Sequence, residues 1–167
     1  MNAIEKTEAP GIMIEEQIEA IIAASLDSLA LTGKRVLVIT PDGTRTMPVP
    51  LFFRLIARHL LGRARQLDFL VALGTHPPLD ETAMLRLFGL TAEEKAGSYR
   101  AVKLINHAWK DPASLVELGR IGREEIESLS RGLLSMEVPV RLNRLALEYD
   151  HILICGPVFP HEVVGFS

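Results

Sequence analysis

At 167 residues, 48% of them hydrophobic and 23% charged, the chain suits one compact domain and carries enough apolar surface to offset the entropy of folding. Its formal net charge of -3 gives no electrostatic reason to expect a nucleic-acid partner, whose phosphates favour a basic face, and no stretch approaches the roughly 18 to 20 apolar residues of a membrane span. Cys155 is the single cysteine, so no intrachain disulfide can form, and a reducing cytoplasm is the expected compartment.

Residues 14–30 set Ile14, Ile18, Ile21, Ile22, Ala24 and Leu26 among acids at near-helical spacing, which predicts an amphipathic first helix ended by Thr32 and Gly33. Residues 35–40 (RVLVIT) form a short β-branched run between turn formers, as suits a strand covered on both faces in a parallel sheet. Pro48 and Pro50 precede the apolar stretch 51–61, and proline near a first turn favours a helix opening there. The arginines between Arg54 and Arg65 read as a solvated face of that helix. Residues 67–73 predict a second strand, 74–79 a loop, and 80–88 a helix with Asp80 as N-cap.

Further along, 101–105 and 116–118 are short strand candidates, 139–147 turns from extended chain into helix, and 152–155 is another buried strand. The stretch 119–136, with its glycines and serine-rich centre, is expected to be the most mobile connection. This alternation argues for an α/β fold, a mainly parallel sheet with helices on both faces in a Rossmann-like three-layer sandwich.

Ligands of open parallel sheets bind beyond the carboxyl ends of the strands, which singles out the loops 41–48, 74–78 and 156–161. The first offers Asp42, Gly43, Thr44 and Arg45 just before a helix start. Arg45 supplies a planar fork for a carboxylate or phosphate, and the helix N-terminus adds N–H groups and a favourable dipole. The plainer alternative has Asp42 capping a turn and Arg45 paired with it at the surface. His76 and His161 each follow a buried strand in a Gly/Pro-bounded loop, and histidine is the side chain whose ordinary pKa suits proton transfer near neutrality. Either could be a loop histidine without a chemical role; two on one sheet edge beside Arg45 favour a functional reading.

His107 follows another strand, and a structural hydrogen bond is expected for it. No two histidines have the i, i+4 spacing of a zinc motif, and one cysteine excludes thiolate clusters, so no metal site built from this chain is expected. GxGxxG, Walker and GxSxG motifs do not occur.

Asp42-Gly43-Thr44-Arg45, Gly74-Thr75-His76 and Pro160-His161 with Gly165-Phe166-Ser167 resemble the Asp-x-Thr-Arg-Pro, Gly-Thr-His and Pro-His…Gly-Phe-Ser loops of the nickel-pincer nucleotide-dependent lactate racemase family. Asn106-His107 and the stretches 116–119 and 138–143 follow in the family's order, so the resemblance covers roughly residues 30–167. It implies that residues 1–167 are the amino-terminal catalytic domain of a larger two-domain enzyme, the carboxy-terminal domain being absent. That enzyme would racemize or epimerize a 2-hydroxy acid by proton-coupled hydride transfer to a nickel-pincer nucleotide.

By the same resemblance, His76 and His161 match the proton partners for the two faces of the substrate. Arg45 would hold a substrate carboxylate or cofactor phosphate, with Asp42 and Thr44 shaping its loop. The chain stops before the lysine that tethers the family's cofactor, so no covalently bound cofactor, and no activity of the chain alone, is expected. Thr46, Pro77 and Val163 depart from the family's usual residues, which leaves hydroxy acids other than lactate open. The expected partners are a small 2-hydroxy acid and a second copy of the chain, through an uncovered C-terminal region. The alternative is a noncatalytic α/β domain binding phosphate or a small carboxylate with the same loops.

Overall fold

The computed structural model describes residues 13–161 and 165–166, the side chains from residue 161 onward excepted. Two apolar, β-branched runs form its central strands, β1 (Arg35–Pro41) and β2 (Gln66–Ala72). Val36, Leu37, Val38, Phe69 and Val71 are wholly buried, and because alternate side chains point to opposite sides, both faces of the sheet are covered there. β1 pairs in parallel with β2 on one side and with β6 (His151–Ile154) on the other; β2 pairs in parallel with β3 (Leu104–Asn106), giving the order β3-β2-β1-β6.

One face carries α1 (Glu15–Asp27), α2 (Val49–Leu60) and α3 (Glu81–Phe88). Leu26, Phe53, Ile56, Leu60, Met84 and Phe88 from these helices join Val36, Val38, Leu67, Phe69 and Val71 in a single core. Phe53 is its centre, with ring centroids 4.9 Å from Phe69 and Tyr99 and 5.3 Å from Phe88. Each such side chain contributes about 1.5–3 kcal/mol through burial.

Asp80 caps α3 by accepting the Ala83 N–H at 2.7 Å, and Gly89 ends the helix at φ 62°. A Cβ on Gly89 would lie 2.7 Å from Cβ of Pro50; only glycine both adopts that backbone and lets the end of α3 meet the start of α2.

The connection from β3 to β6 crosses to the opposite face. It contains a 3-10 turn at Pro112–Ser114, β4 (Leu115–Ile121), α5 (Arg123–Leu129), β5 (Val138–Asn143) and α6 (Leu145–Glu148). β4 and β5 form their own antiparallel pair, and with α6 they lie over Leu37, Ile39, Leu70 and Ile152, leaving a gap of about 360 Å³. Asp68 is wholly buried on this face and is satisfied by three donors: the Tyr149 hydroxyl at 2.5 Å, Gln66 Nε2 at 2.6 Å and the Lys103 N–H at 2.7 Å. Burial, and then that carboxylate, push the Tyr149 hydroxyl well above its ordinary range.

The α/β class and the mainly parallel sheet are as the sequence implies, with α1–α3 on one face and the short α6 on the other. Two helices were not anticipated, α4 (Ala92–Ala96) and α5, the latter inside the stretch expected to be a loose connection. The strand expected near 116–118 belongs to the hairpin and not to the central sheet. Its Glu117, Gly119 and Arg120 are exposed, a burden that an antiparallel pair tolerates and a doubly covered parallel strand does not.

Candidate active site

From β1 the chain steps through α2 to β2 and through α3 to β3, whereas β6 lies on the other side of β1. The carboxyl ends of β1 and β6 therefore make a topological switch point, where loops diverge and leave a crevice.

The loop after β1 folds around its own carboxylate. Asp42, 6% exposed, accepts at Oδ1 from the Thr44 N–H at 3.0 Å and the Thr44 hydroxyl at 2.6 Å, an Asx turn. Its Oδ2 lies 2.5 Å from Nδ1 of His76. The loop after β2 brings the histidine there: Gly74 has φ 57°, and the His76 N–H donates back to the Leu73 carbonyl at 2.9 Å. The indole N–H of Trp109 donates to the His76 carbonyl at 3.3 Å and ties the loop from its other side.

Burial alone would raise the pKa of Asp42, but hydrogen bonds from Thr44 and His76 outweigh it and hold the carboxyl below the ordinary range. Ionised at neutral pH, Asp42 only accepts, so the ring presents Nδ1–H to it. Among the described residues Nε2 has no protein partner, on a side chain 53% exposed. A buried carboxylate behind a histidine fixes its tautomer and its orientation, the arrangement by which an imidazole serves as general base.

The loops after β1, β2 and β6 line a cleft of about 540 Å³ whose walls include Thr40, Asp42, Thr44, Arg45, His76 and Phe159. Arg45 is exposed and makes no side-chain ion pair or hydrogen bond among the described residues, so it does not pair with Asp42. Thr40 Oγ1 is buried without a hydrogen-bond partner among the described residues.

The helix terminus offers less than expected. The Val49 N–H bonds to Met47 O at 2.9 Å, Pro50 has none, and the N–H groups of Leu51 and Phe52 go to Pro48 O at 3.0 and 3.2 Å. The prolines that open α2 leave the cleft's attraction for anions to the Arg45 guanidinium and the helix dipole.

Asp42, Thr44, Arg45 and His76 thus share one cleft. The His161 side chain lies outside the described residues; its backbone pairs with Gly165 between β7 (Pro160–His161) and β8 (Gly165–Phe166), just beyond Phe159. His107 is structural: its Nδ1 accepts from the Asn143 amide at 2.9 Å, and its N–H donates to Val71 O at 3.1 Å. Trp109 was not singled out by the sequence, although the chain's one tryptophan carries an N–H that needs a partner when packed. Cys155 lines the cleft as an apolar group, its thiol pushed up to about 11 by burial.

Among the described residues no group of three or more His, Cys, Asp or Glu could hold a metal ion, and no helix is long and apolar enough to cross a membrane. Among the described residues that line the cleft, the exposed Arg45 guanidinium could hold a phosphate of a nucleotide cofactor.

Fold and cleft together define a doubly wound α/β domain with a carboxylate–histidine pair and a free cation at its switch point. The family model of the lactate racemase N-terminal domain matches residues 1–167, and the chain belongs to that family. It is similar to a crystal structure of a protein from Thermotoga maritima, at 29% identity and a TM-score of 0.79 over 93% of this chain and 36% of that one. The fold is also that of the lactate racemase apoprotein from Thermoanaerobacterium thermosaccharolyticum, at 22% identity and a TM-score of 0.64 over 92% of this chain. The chain thus spans about a third of these solved structures, 36% and 34% of their lengths. A search of curated proteins gave no match.

Proposed function

We propose that this chain is the amino-terminal domain of a two-domain enzyme that racemizes or epimerizes a 2-hydroxy acid, with His76 exchanging the hydroxyl proton on one face of the substrate. The observation that carries this reading is the Asp42–His76 pair, 2.5 Å apart at the wall of a cleft that Arg45 also lines. Oxidation at C2 requires the hydroxyl proton to leave, and Nε2 of a ring held through Nδ1 is the acceptor. On the return step the same nitrogen gives the proton back. His161 takes the corresponding part on the opposite face, on the strength of its place in the family's loop.

Arg45 holds the substrate carboxylate or a cofactor phosphate, fixing which group faces His76. A nickel-pincer nucleotide, when bound, supplies the hydride acceptor and donor. This chain's residues bind, orient and move the proton. The cytoplasm is the compartment that suits a chain whose one thiol is free and half-buried. Self-association through Ile154, Val158 and Phe159, which are 84%, 72% and 38% exposed, belongs to the same reading and would show in sedimentation at rising concentration.

The test is racemization of 2-hydroxy acids by the cofactor-loaded parent enzyme, unsubstituted and as His76→Gln. Loss of turnover by about 100-fold or more supports the reading. Unchanged turnover would assign the cleft to a noncatalytic binding domain for phosphate or a small carboxylate.

A further inference from the structure

Next to the polar cleft lies a second recess, of about 360 Å³, lined by Thr46, Met47, Pro48, Phe52 and the segment from Ile154 to Pro157. Ile154, Cys155, Gly156 and Pro157 border both cavities, so the recess adjoins the cleft at the end of β6. Its character differs. The cleft holds a carboxylate, a guanidinium and an imidazole, whereas the recess has one side-chain hydroxyl, Thr46, among a thioether, a phenyl ring and prolines. Cys155 adds no charge, since burial keeps its thiol protonated up to about 11.

A molecule anchored by its carboxylate on Arg45, with its hydroxyl on His76, has two remaining substituents at C2, the hydrogen that leaves as hydride and the side chain. The side chain's apolar outlet is this recess. A volume of about 360 Å³ lies within the range that holds whole small ligands, and a methyl group would leave it largely unfilled.

We propose that the substrate is a 2-hydroxy acid with an uncharged side chain longer than methyl, linear, branched or aromatic, seated against Met47, Phe52 and Pro157. The proposal rests on the reading of the cleft given above. Each fully buried methylene raises affinity about fourfold, so three more than lactate has should raise it by up to about sixtyfold, and by about tenfold where they are only partly buried. A second carboxylate in the same place would pay for desolvation with no cation to meet it, so hydroxy diacids are disfavoured.

The experiment titrates this chain with lactate, 2-hydroxyhexanoate, 3-phenyllactate and 2-hydroxysuccinate, following by NMR the His76 ring and the Met47 methyl group. The proposal predicts that every monoacid shifts His76, that only the longer acids shift Met47, and that they bind about tenfold or more tightly than lactate. In Thr46→Trp, which fills the recess from an exposed loop position, the ratio of the two affinities should fall toward one. If His76 moves equally with lactate and the longer acids while Met47 stays still, the side-chain subsite is wrong and the cleft reading survives. No shift of His76 with any of the acids overturns both.

Discussion

Oδ2 of Asp42 and Nδ1 of His76 stand 2.5 Å apart although 34 residues separate them in the chain. The contact joins the loops that follow two adjacent parallel strands, paired in register up to Pro41 and Ala72. The sheet therefore sets the positions from which the two loops meet. In Asp42→Asn the Thr44 turn can persist through the amide oxygen, while the ring loses its ionised acceptor. The account predicts a loss of racemase turnover of about 10-fold to 10⁴-fold in the loaded parent enzyme, with urea midpoints showing a stability loss of about 1–3 kcal/mol or less. Turnover equal to that of the unsubstituted protein would remove Asp42 from the mechanism.

A second carboxylate ties the sheet at its opposite end. Asp150 takes the Arg35 N–H at 2.8 Å and the Arg35 guanidinium at 2.9 Å, which hold its pKa down to about 2. A depressed folded-state pKa means stability that is complete above the ordinary aspartate value, 3.8, and is lost as pH falls toward about 2. Urea unfolding as a function of pH should show a gap between the unsubstituted protein and Asp150→Asn that is steady above 3.8 and closes toward 2.

Gly89→Ala tests the junction of α3 with α2. Its left-handed φ of 62° and the 2.7 Å approach to Pro50 together predict a destabilisation of about 1–3 kcal/mol, read from the urea midpoint. A neutral substitution would mean that the end of α3 is not held against Pro50.

Cys155 should be a slow thiol. With a pKa of about 11, only roughly one in a thousand of its thiols is ionised at pH 8, against about a quarter for a free cysteine. Alkylation of the folded protein should therefore lag far behind that of the urea-unfolded chain. Equal rates would show that the end of β6 opens readily.

The sequence exposes the parallel sheet because residues 35–40 and 67–73 are mostly apolar, with only Arg35, Thr40 and Asp68 polar, and are bounded by Gly, Pro and Asp, the pattern of strands buried on both faces. It exposes the loops of the cleft for the same reason, since polar residues directly after such strands fall at one sheet edge. Its expectation for β3 falls early: the buried Val102 precedes the paired residues, Leu104–Asn106, and burial without pairing leaves the same apolar signature.

Other features depend on contacts that no local pattern encodes. Asp42 capping its own turn is readable from Asp-x-Thr, but its second oxygen meeting His76 depends on the register of β1 against β2. Arg45 and the start of α2 show the converse. Pro48 and Pro50 mark the helix opening correctly and also remove or engage the N–H groups that an anion would need. The antiparallel hairpin was obscured because its exposed Glu117 and Arg120 make ion pairs, with each other and with Arg141 and Glu137, that hold a polar strand together without an apolar run.

The central claim is that Asp42 presents His76 to the cleft as a base at Nε2, and long-range proton–nitrogen NMR of the neutral His76 ring in this chain tests it most directly. The account predicts the Nδ1–H tautomer with a bare Nε2, and loss of that preference in Asp42→Asn. A ring protonated at Nε2, unchanged by that substitution, would contradict it.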